Sequence, residues 1–231
     1  GIAGAHVRIA ARDRDLVQRY WNSPTIASKP GLKAVDLFEA VHAGKIKALW
    51  IMATNPVVSL PDADRVREAL RRCDFVVVSD VVASTDTAQL AHLLLPALAW
   101  GEKDGTVTNS ERVISRQRAF RPAPGEARPD WWALAEVGKR LGHVEGFEYA
   151  GPHEIFDEHA RLSAFENRGE RVFNLAGLVD LGLDAYHALT PIRWPVQAPG
   201  IGSERLFGDG RFPTPDGRAR FVPTTPLAPA H

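Results

Sequence analysis

Two uninterrupted apolar runs, one on each side of an amphipathic segment, constrain the fold of this chain more than any other feature. The first run is Ala48–Ala53 and the second is Phe75–Val78. Between them, the segment from Asp62 to Arg72 places Val66, Ala69 and Leu70 at helical spacing. Runs that are apolar at every position are typical of parallel strands covered on both faces. The pattern therefore predicts a strand, a crossover helix and a second parallel strand.

Further periodic segments extend this unit. The run Leu93–Leu95 predicts a third parallel strand, and short strands are predicted over 106–108 and 113–115. Helices are predicted over 32–43, near 85–91, over 129–141 and over 152–165. The predicted fold class is α/β: a Rossmann-like, open, mostly parallel sheet with flanking helices, plus an extended Pro/Gly-rich C-terminal arm.

The distribution of Gly and Pro divides the chain. Residues 191–231 contain 13 Gly or Pro among 41 residues, a density typical of a connector rather than of a core. We predict an N-terminal segment of undefined structure (1–30), a Rossmann-like domain (31–145), a helical extension (146–190) and a connector to a further domain (191–231). The chain begins at Gly1 with no signal-peptide pattern, so we expect a processed or internal segment.

Composition excludes several classes of protein. Lys plus Arg and Asp plus Glu both number 28, so overall charge provides no attraction to nucleic acid or to an anionic membrane. The single cysteine, Cys73, excludes a disulfide framework and a cluster ligated by several thiolates. The most apolar stretch, residues 87–100, is too short to cross a bilayer as a helix. We therefore expect neither nucleic acid nor membrane as a partner.

Polar segments follow the predicted parallel strands, at the edge where ligands of open α/β sheets bind. These segments are 54–56, 79–80 and 100–106. We predict that they converge on one cleft, with the side chains of Asn55, Asp80 and Lys103 facing it. The Asp80 carboxylate could accept two donors from a ribose diol or from a guanine edge. A helix N-cap or a solvated turn is the alternative role for Asp80, and spacing alone slightly favours it.

Other polar residues have simpler interpretations. Asn55 could form only an Asx turn, and Lys103 could be solvated. The chain has no glycine-rich phosphate loop after either strand, and no catalytic nucleophile–base pair or metal site can be nominated from spacing. Four arginines follow Asn109, and we interpret this basic run as an exposed strand face; its members are Arg112, Arg116, Arg118 and Arg121. We interpret the tryptophan pair, Trp131 and Trp132, as part of the core.

The text from Trp50 to Gly142 resembles the third domain of the molybdopterin oxidoreductases, the family of nitrate reductases, formate dehydrogenases and dimethyl sulfoxide reductases. The resemblance is carried by WIMATNP (50–56), VVVSD (76–80) leading to LLLPA (93–97), WGEKDGTVTNSER (100–112) and PGEARPDWW (124–132). These motifs are specific in this order and spacing. Within the family, the chain is most similar to the cytoplasmic, assimilatory nitrate reductases of bacteria.

The resemblance implies a cofactor site. In that family the third domain binds one of the two molybdopterin guanine dinucleotides of a molybdenum-bis(molybdopterin guanine dinucleotide) cofactor. The positions that match cofactor-binding residues are Asn55, Ser79, Asp80, Lys103 and Asp130. By this resemblance Asp80 would bind the guanosine end, and Lys103 would offset a pyrophosphate or polarise the pterin region.

The resemblance also implies what the chain lacks. The family's N-terminal Cys motif for an iron–sulfur cluster, the segment with the protein ligand of molybdenum and the C-terminal cofactor-binding domain have no counterpart here. We therefore expect an inactive middle piece of a cytoplasmic enzyme that reduces nitrate to nitrite. Its partners would be the remaining domains of that subunit and an electron donor. The alternatives are a piece of another family member, such as a formate dehydrogenase, or a cofactor-free module like the iron–sulfur subunit of respiratory complex I.

Overall fold

The computed structural model describes residues 11–226. Sequence predictions for residues 1–10 and 227–231 lie outside this range. The helices are α1 (Ala11–Tyr20), α2 (Ala34–His42), α3 (Pro56–Ser59), α4 (Ala63–Arg72), α5 (Asp130–Arg140), α6 (Pro152–Ala164) and α7 (Gly182–Ala188). The strands are β1 (Ala48–Met52), β2 (Phe75–Asp80), β3 (Leu93–Pro96), β4 (Gly105–Thr108), β5 (Val113–Gln117) and β6 (Ile192–Arg193). Short 3₁₀ helices cover Ala88–Leu90, Trp100–Glu102, Glu145–Phe147 and Ala176–Leu178.

The predicted parallel sheet is confirmed. Strands β1, β2 and β3 form one sheet in that order, and both pairings are parallel. The helix α4 connects β1 to β2, and its N-terminus is capped by Asp62, whose carboxylate accepts a hydrogen bond from the Arg65 backbone. Since all three strands run in one direction, their carboxyl ends meet at the same edge of the sheet. The chain is therefore a mixed α/β structure, as the sequence predicts.

One face of this sheet forms the first core. Leu70 of α4 and Val41 of α2 pack against Val76 and Val78 of β2, and all four are fully buried. The opposite face of β2 is buried only in part: Phe75 is 46% exposed, whereas Ser79 on the same face is 3% exposed. The prediction of strands covered on both faces is therefore wrong for the described residues. An apolar run shows that both faces are suited to burial, but it does not show that the same chain supplies both covers.

A second, antiparallel sheet lies beyond β3. Strand β5 pairs with β4 on one side and with β6 on the other. Ile114 of β5 packs in one core with Phe156 of α6, with Leu175 and with Val196. This core joins residues from the predicted domain, the helical extension and the first part of the predicted connector. The domain boundaries themselves stay a prediction.

Arg116 holds the second sheet to α7. Its side chain is fully buried, and its guanidinium lies 4.0 Å from the centre of the Tyr186 ring. The guanidinium donates to Tyr186 Oη at 3.1 Å and to His187 Nδ1 at 3.2 Å, and it pairs with Asp104 at 2.8 Å. Arg112, on the turn before β5, donates to the backbone carbonyls of Ser203 and Glu204.

The interpretation of the basic run as an exposed face is therefore wrong for Arg116. A charge in an interior position needs a counter-ion and several acceptors, and Asp104 and α7 provide them. The core interpretation of the tryptophan pair is also wrong for Trp132, which is 41% exposed. The buried side of α5 carries Ala135 and Gly138 instead. The Phe147 ring packs so closely on Gly138 that a Cβ atom there would lie 2.6 Å from the nearest ring atoms.

Arg116→Lys should lower the free energy of unfolding by about 2–3 kcal/mol, because an ammonium cannot reproduce the planar donor set and leaves buried acceptors unpaired. Urea unfolding followed by circular dichroism measures the change. Arg118→Lys is the control, since Arg118 is exposed and, among residues 11–226, its side chain bonds only the His187 carbonyl oxygen. Equal stability of the two variants would show that the buried guanidinium is not what holds β5 to α7.

Candidate functional site

The carboxyl edge of the parallel sheet brings together the loops that follow β1 and β2. Met52 pairs with Ser79, and Asp80 pairs with Pro96, so the three strands end almost level. Asn55 follows β1 by three residues, and Asp80 is the last residue of β2. The predicted proximity of these strand ends is therefore present in the structure.

Asn55 is fixed by a threonine from the neighbouring loop. Its side-chain oxygen, Oδ1, accepts hydrogen bonds from Thr87 Oγ1 at 2.7 Å and from the Thr87 backbone at 3.3 Å. Thr87 is fully buried, and its hydroxyl oxygen also accepts from the Val57 backbone at 3.2 Å. Since Asn55 Oδ1 is occupied, its amide Nδ2 is the group left to bind a ligand. Within residues 11–226, Nδ2 has no hydrogen-bond partner.

Asp80 is fixed by its own turn. Its Oδ1 accepts from the backbone N–H groups of Val81 and Val82, at 2.7 and 3.3 Å, and its Oδ2 accepts from Thr85 Oγ1 at 3.4 Å. Thr85 Oγ1 in turn accepts from the Ala88 backbone at 3.1 Å. The side chain of Asp80 is half-buried, so the carboxylate keeps acceptor capacity at the edge of the sheet. The turn role that spacing favoured is therefore present.

Ser79 points away from the loops. It is 3% exposed, and its hydroxyl oxygen accepts a hydrogen bond from the Trp50 indole at 2.8 Å. Its carbonyl oxygen accepts from the Ala53 backbone at 3.0 Å. In this structure Ser79 links β2 to β1. Its contact with a cofactor stays a prediction.

Lys103 and Asp130 form a second cluster. Lys103 Nζ donates to Asp130 Oδ2 at 2.6 Å, and both side chains are about three-quarters buried, with 29% and 27% exposed. The other carboxylate oxygen, Asp130 Oδ1, is buried without any hydrogen-bond partner within the described residues. The two side chains line a cavity of about 370 Å³ together with Thr106 and Gln117. A buried carboxylate oxygen without a donor is costly, and a ligand N–H or O–H would satisfy it.

These two clusters are neighbours along the sheet rather than one cleft. The Arg128 backbone N–H donates to the Pro96 carbonyl oxygen, and the Ala97 backbone N–H donates to the Asp80 carbonyl oxygen. The segment leading to Asp130 therefore runs beside the end of β3. Neither Asn55 nor Asp80 lines the cavity that contains Lys103. The structure thus places Asn55 and Asp80 in one cluster and Lys103 and Asp130 in another. The prediction that Lys103 faces the same cleft as Asn55 and Asp80 is therefore wrong for the described residues.

A larger cavity of about 1070 Å³ adjoins the second cluster, because Trp131, Ile155 and His159 line both cavities. Two acidic residues line it, Glu145 and Glu158. Glu158 accepts from the Trp21 indole at 2.8 Å and from the Tyr149 hydroxyl at 2.5 Å. Burial, followed by the bond to Glu158, raises the pKa of the Tyr149 hydroxyl. Tyr149 therefore remains a proton donor to Glu158 at neutral pH.

Sequence reasoning missed Thr85 and Thr87, which link the two strand ends. Their segment, STDTAQ, is a run of side chains that hydrogen-bond to nearby backbone, and this composition was the available signal. This composition indicates a turn. It does not show that the Thr87 hydroxyl donates to Asn55, which lies 32 positions earlier in the chain.

The fold and this edge define the chain as an α/β protein whose parallel sheet ends in fixed polar loops. The family model of the molybdopterin oxidoreductases matches residues 3–140. Because this match covers more than half of the chain, the chain belongs to the molybdopterin oxidoreductase family.

Individual relatives agree with this assignment. The chain is 53% identical to a nitrate reductase of Klebsiella oxytoca over 96% of its length and 25% of the relative's. It is 48% identical to a nitrate reductase of Shewanella frigidimarina over 94% of its length and 24% of the relative's. The chain thus spans about a quarter of the length of these curated relatives.

A solved structure shares the fold. Acetylene hydratase from Pelobacter acetylenicus superposes with a TM-score of 0.55 at 21% identity, over 80% of this chain and 23% of that one. At this identity the likeness concerns the fold alone. Among residues 11–226, no helix combines the length and the apolar character that crossing a bilayer requires.

Thr87→Val should lower the free energy of unfolding by about 1–3 kcal/mol, because the shape is kept while the Val57 N–H loses its acceptor and Asn55 loses its shortest bond. Chemical denaturation measures this change. Thr25→Val is the matched control, since Thr25 is exposed and its hydroxyl makes no bond within the described residues. A cost at Thr87 no larger than at Thr25 would contradict the role given to the buried hydroxyl.

Proposed function

We propose that this chain is the part of a nitrate reductase catalytic subunit that binds one molybdopterin guanine dinucleotide across the carboxyl edge of its parallel sheet. Family membership supports a molybdenum–pterin cofactor, and the two nitrate reductase relatives, at 53% and 48% identity, support nitrate as the substrate of the whole subunit. The observation that carries the nucleotide assignment is the carboxylate of Asp80, held at the strand end by its turn.

Asp80 suits the guanosine end of the dinucleotide. The bonds from Val81 and Val82 to Oδ1 fix the carboxylate plane, and Oδ2 receives only the long bond from Thr85. A carboxylate has about four acceptor positions, so it can accept the N1–H and N2–H of guanine or a pair of ribose hydroxyls in addition. The turn thus orients the ligand's acceptor before the ligand arrives.

The loop after β1 suits the more negatively charged part of the ligand. Ala53 adopts a positive φ of 54° and turns the chain away from the sheet. Within the described residues, the backbone N–H groups of Thr54 and Asn55 have no hydrogen-bond acceptor, and Asn55 Nδ2 is free as well. Successive backbone N–H groups that lack an acceptor can bind the oxygens of a phosphate.

Lys103 and Asp130 would bind the far end of the ligand. Because the two side chains neutralise each other, Lys103 is not a free countercharge for a pyrophosphate. The unpaired Asp130 Oδ1 instead favours a ligand that donates, such as the amino and ring N–H groups of a pterin. We therefore propose that Lys103 chiefly orients Asp130. The residues fit the cofactor at both ends, with donors near β1 and acceptors at Asp80 and Asp130.

The chemistry of nitrate reduction, a two-electron transfer of an oxygen atom, is supplied by the metal when the cofactor is bound. The residues of this chain bind and orient the cofactor, and none is assigned a catalytic role. We propose further that the whole subunit is cytoplasmic, that it carries its iron–sulfur cluster outside this segment, and that it receives electrons from a donor protein or domain. The Rossmann-like domain at 31–145 and the connector at 191–231 belong to the same proposal.

A comparison of two nucleotides, GDP and xanthosine diphosphate, tests the assignment of Asp80. Asp80→Asn keeps an oxygen for the Val81 and Val82 N–H groups but replaces an acceptor with a donor. We expect the affinity for GDP to fall about tenfold or more, corresponding to about 1.4 kcal/mol, while that for xanthosine diphosphate rises. Xanthine presents an acceptor where guanine presents an amino group. Isothermal titration calorimetry with both nucleotides measures the switch.

The matched control is Asp74→Asn, which makes the same chemical change at the amino end of β2. Asp74 pairs with Lys47 at 3.5 Å, and both side chains are exposed. GDP affinity that is unchanged by Asp80→Asn, or lowered equally by Asp74→Asn, would remove Asp80 from the nucleotide site.

Cofactor retention tests the same residue in a complete enzyme. In a nitrate reductase subunit that contains this chain, Asp80→Ala should lower the molybdenum and the guanine recovered per polypeptide, because both the acceptor and its turn are lost. Mass spectrometry for the metal and chromatography after acid release for the base measure the two. Unchanged recovery of both would contradict the proposal.

A further inference from the structure

Thr87 determines which atom of the Asn55 side chain is available to a ligand. The Thr87 backbone N–H lies 3.3 Å from Asn55 Oδ1, and the Thr87 hydroxyl donates to the same oxygen at 2.7 Å. A backbone N–H can only donate, so the atom that it meets on Asn55 has to be the carbonyl oxygen and not the amide nitrogen. The two bonds therefore fix the amide in one of its two orientations and leave Nδ2 as the free group.

The Thr87 hydroxyl is itself fixed as a donor to Asn55. Its oxygen accepts a hydrogen bond from the Val57 backbone at 3.2 Å, so its single hydrogen is directed to Asn55 Oδ1. The three groups form a chain of hydrogen bonds from Val57 through Thr87 to Asn55, and bonds in such a chain polarise and strengthen one another. The segment between β2 and β3 thus controls a side chain in the loop after β1.

Burial restricts what Thr87 can do in a binding site. Thr87 has no exposed surface, whereas Asn55 is partly exposed. The 3₁₀ helix Ala88–Leu90 follows Thr87 directly, and the Leu90 backbone donates to the Thr87 carbonyl oxygen at 3.0 Å. Because Thr87 is held in place and cannot reach a ligand, any influence on binding has to act through Asn55.

We propose that Thr87 is a positioning residue of the nucleotide site and that it selects the diphosphate by presenting the N–H donors of Asn55 to it. This inference rests on the proposed function, in which the loop after β1 binds the phosphates. An ionised phosphate oxygen accepts hydrogen bonds and is repelled by a carbonyl oxygen, so an Asn55 amide in the reversed orientation would oppose the same ligand. Without the Thr87 hydroxyl, the amide can rotate and the donor surface is lost.

Calorimetric titration of the chain with GDP and with guanosine tests the proposal, at a temperature well below unfolding. Thr87→Val should lower the affinity for GDP about tenfold, because a hydrogen bond to a charged group is weakened. The affinity for guanosine should stay the same, since guanosine has no phosphate. Thr87→Ser keeps the hydroxyl and should restore the affinity for GDP.

Ser163→Ala is the matched control for the loss of a buried hydroxyl. Ser163 lies on α6 and is 6% exposed; its hydroxyl donates to the Ala160 carbonyl oxygen at 2.7 Å and accepts from the Leu175 backbone at 2.8 Å. This variant should lose stability, as Thr87→Val does, but keep its affinity for GDP. An equal loss of GDP affinity in the two variants would indicate general destabilisation and would overturn the proposal.

A double-mutant cycle distinguishes positioning through Asn55 from any other effect of Thr87. In the Asn55→Ala background no amide remains to be oriented, so Thr87→Val should cause no further loss of GDP affinity. Three outcomes would overturn the proposal: a further loss as large as in the parent chain, an unchanged GDP affinity of Thr87→Val, and an equal loss of guanosine and GDP affinity in Thr87→Val.

The Asp80→Asn variant separates this inference from the proposed function. If Asp80→Asn changes the preference between GDP and xanthosine diphosphate while Thr87→Val leaves GDP affinity unchanged, the nucleotide site stands and the positioning role is rejected. A chain that binds neither nucleotide would reject the proposed function, and this inference with it.

Discussion

Parallel pairing of β2 with both of its neighbours is the constraint on which the rest of the structure depends. Because β1, β2 and β3 run in one direction, the residues that follow each strand are delivered to one edge. Two threonines then fix that edge: Thr87 bonds Asn55, and Thr85 bonds Asp80. If β1 and β2 were antiparallel, Asn55 and Asp80 would lie at opposite edges of the sheet and could not contact one ligand.

The parallel core and the placement of Asn55 and Asp80 could be predicted from the sequence, because period and strand length are local properties. Helix α5 was predicted over 129–141 and spans Asp130–Arg140. Burial of Arg116 could not be predicted in this way. It depends on Asp104, Tyr186 and His187, and the last two are about 70 residues away in the chain. The ion pair between Lys103 and Asp130 is similarly non-local, since the partners are 27 positions apart in the chain.

The polar edge contains groups that the described residues leave unsatisfied: Asp130 Oδ1 lacks a donor, and Asn55 Nδ2 lacks an acceptor. Polar groups at strand ends suit a polar ligand. In the proposed subunit, a cofactor would bind at this edge.

In the proposed complex, Asp80 and the loop after β1 bind opposite ends of a guanine nucleotide, and a crystal structure of the chain with bound GDP would show both contacts. We expect the guanine or ribose within hydrogen-bond distance of the Asp80 carboxylate and the diphosphate against the backbone N–H groups of Thr54 and Asn55. A nucleotide bound at the amino edge of the sheet, or bound without contact to Asp80, would show that this edge is not the nucleotide site.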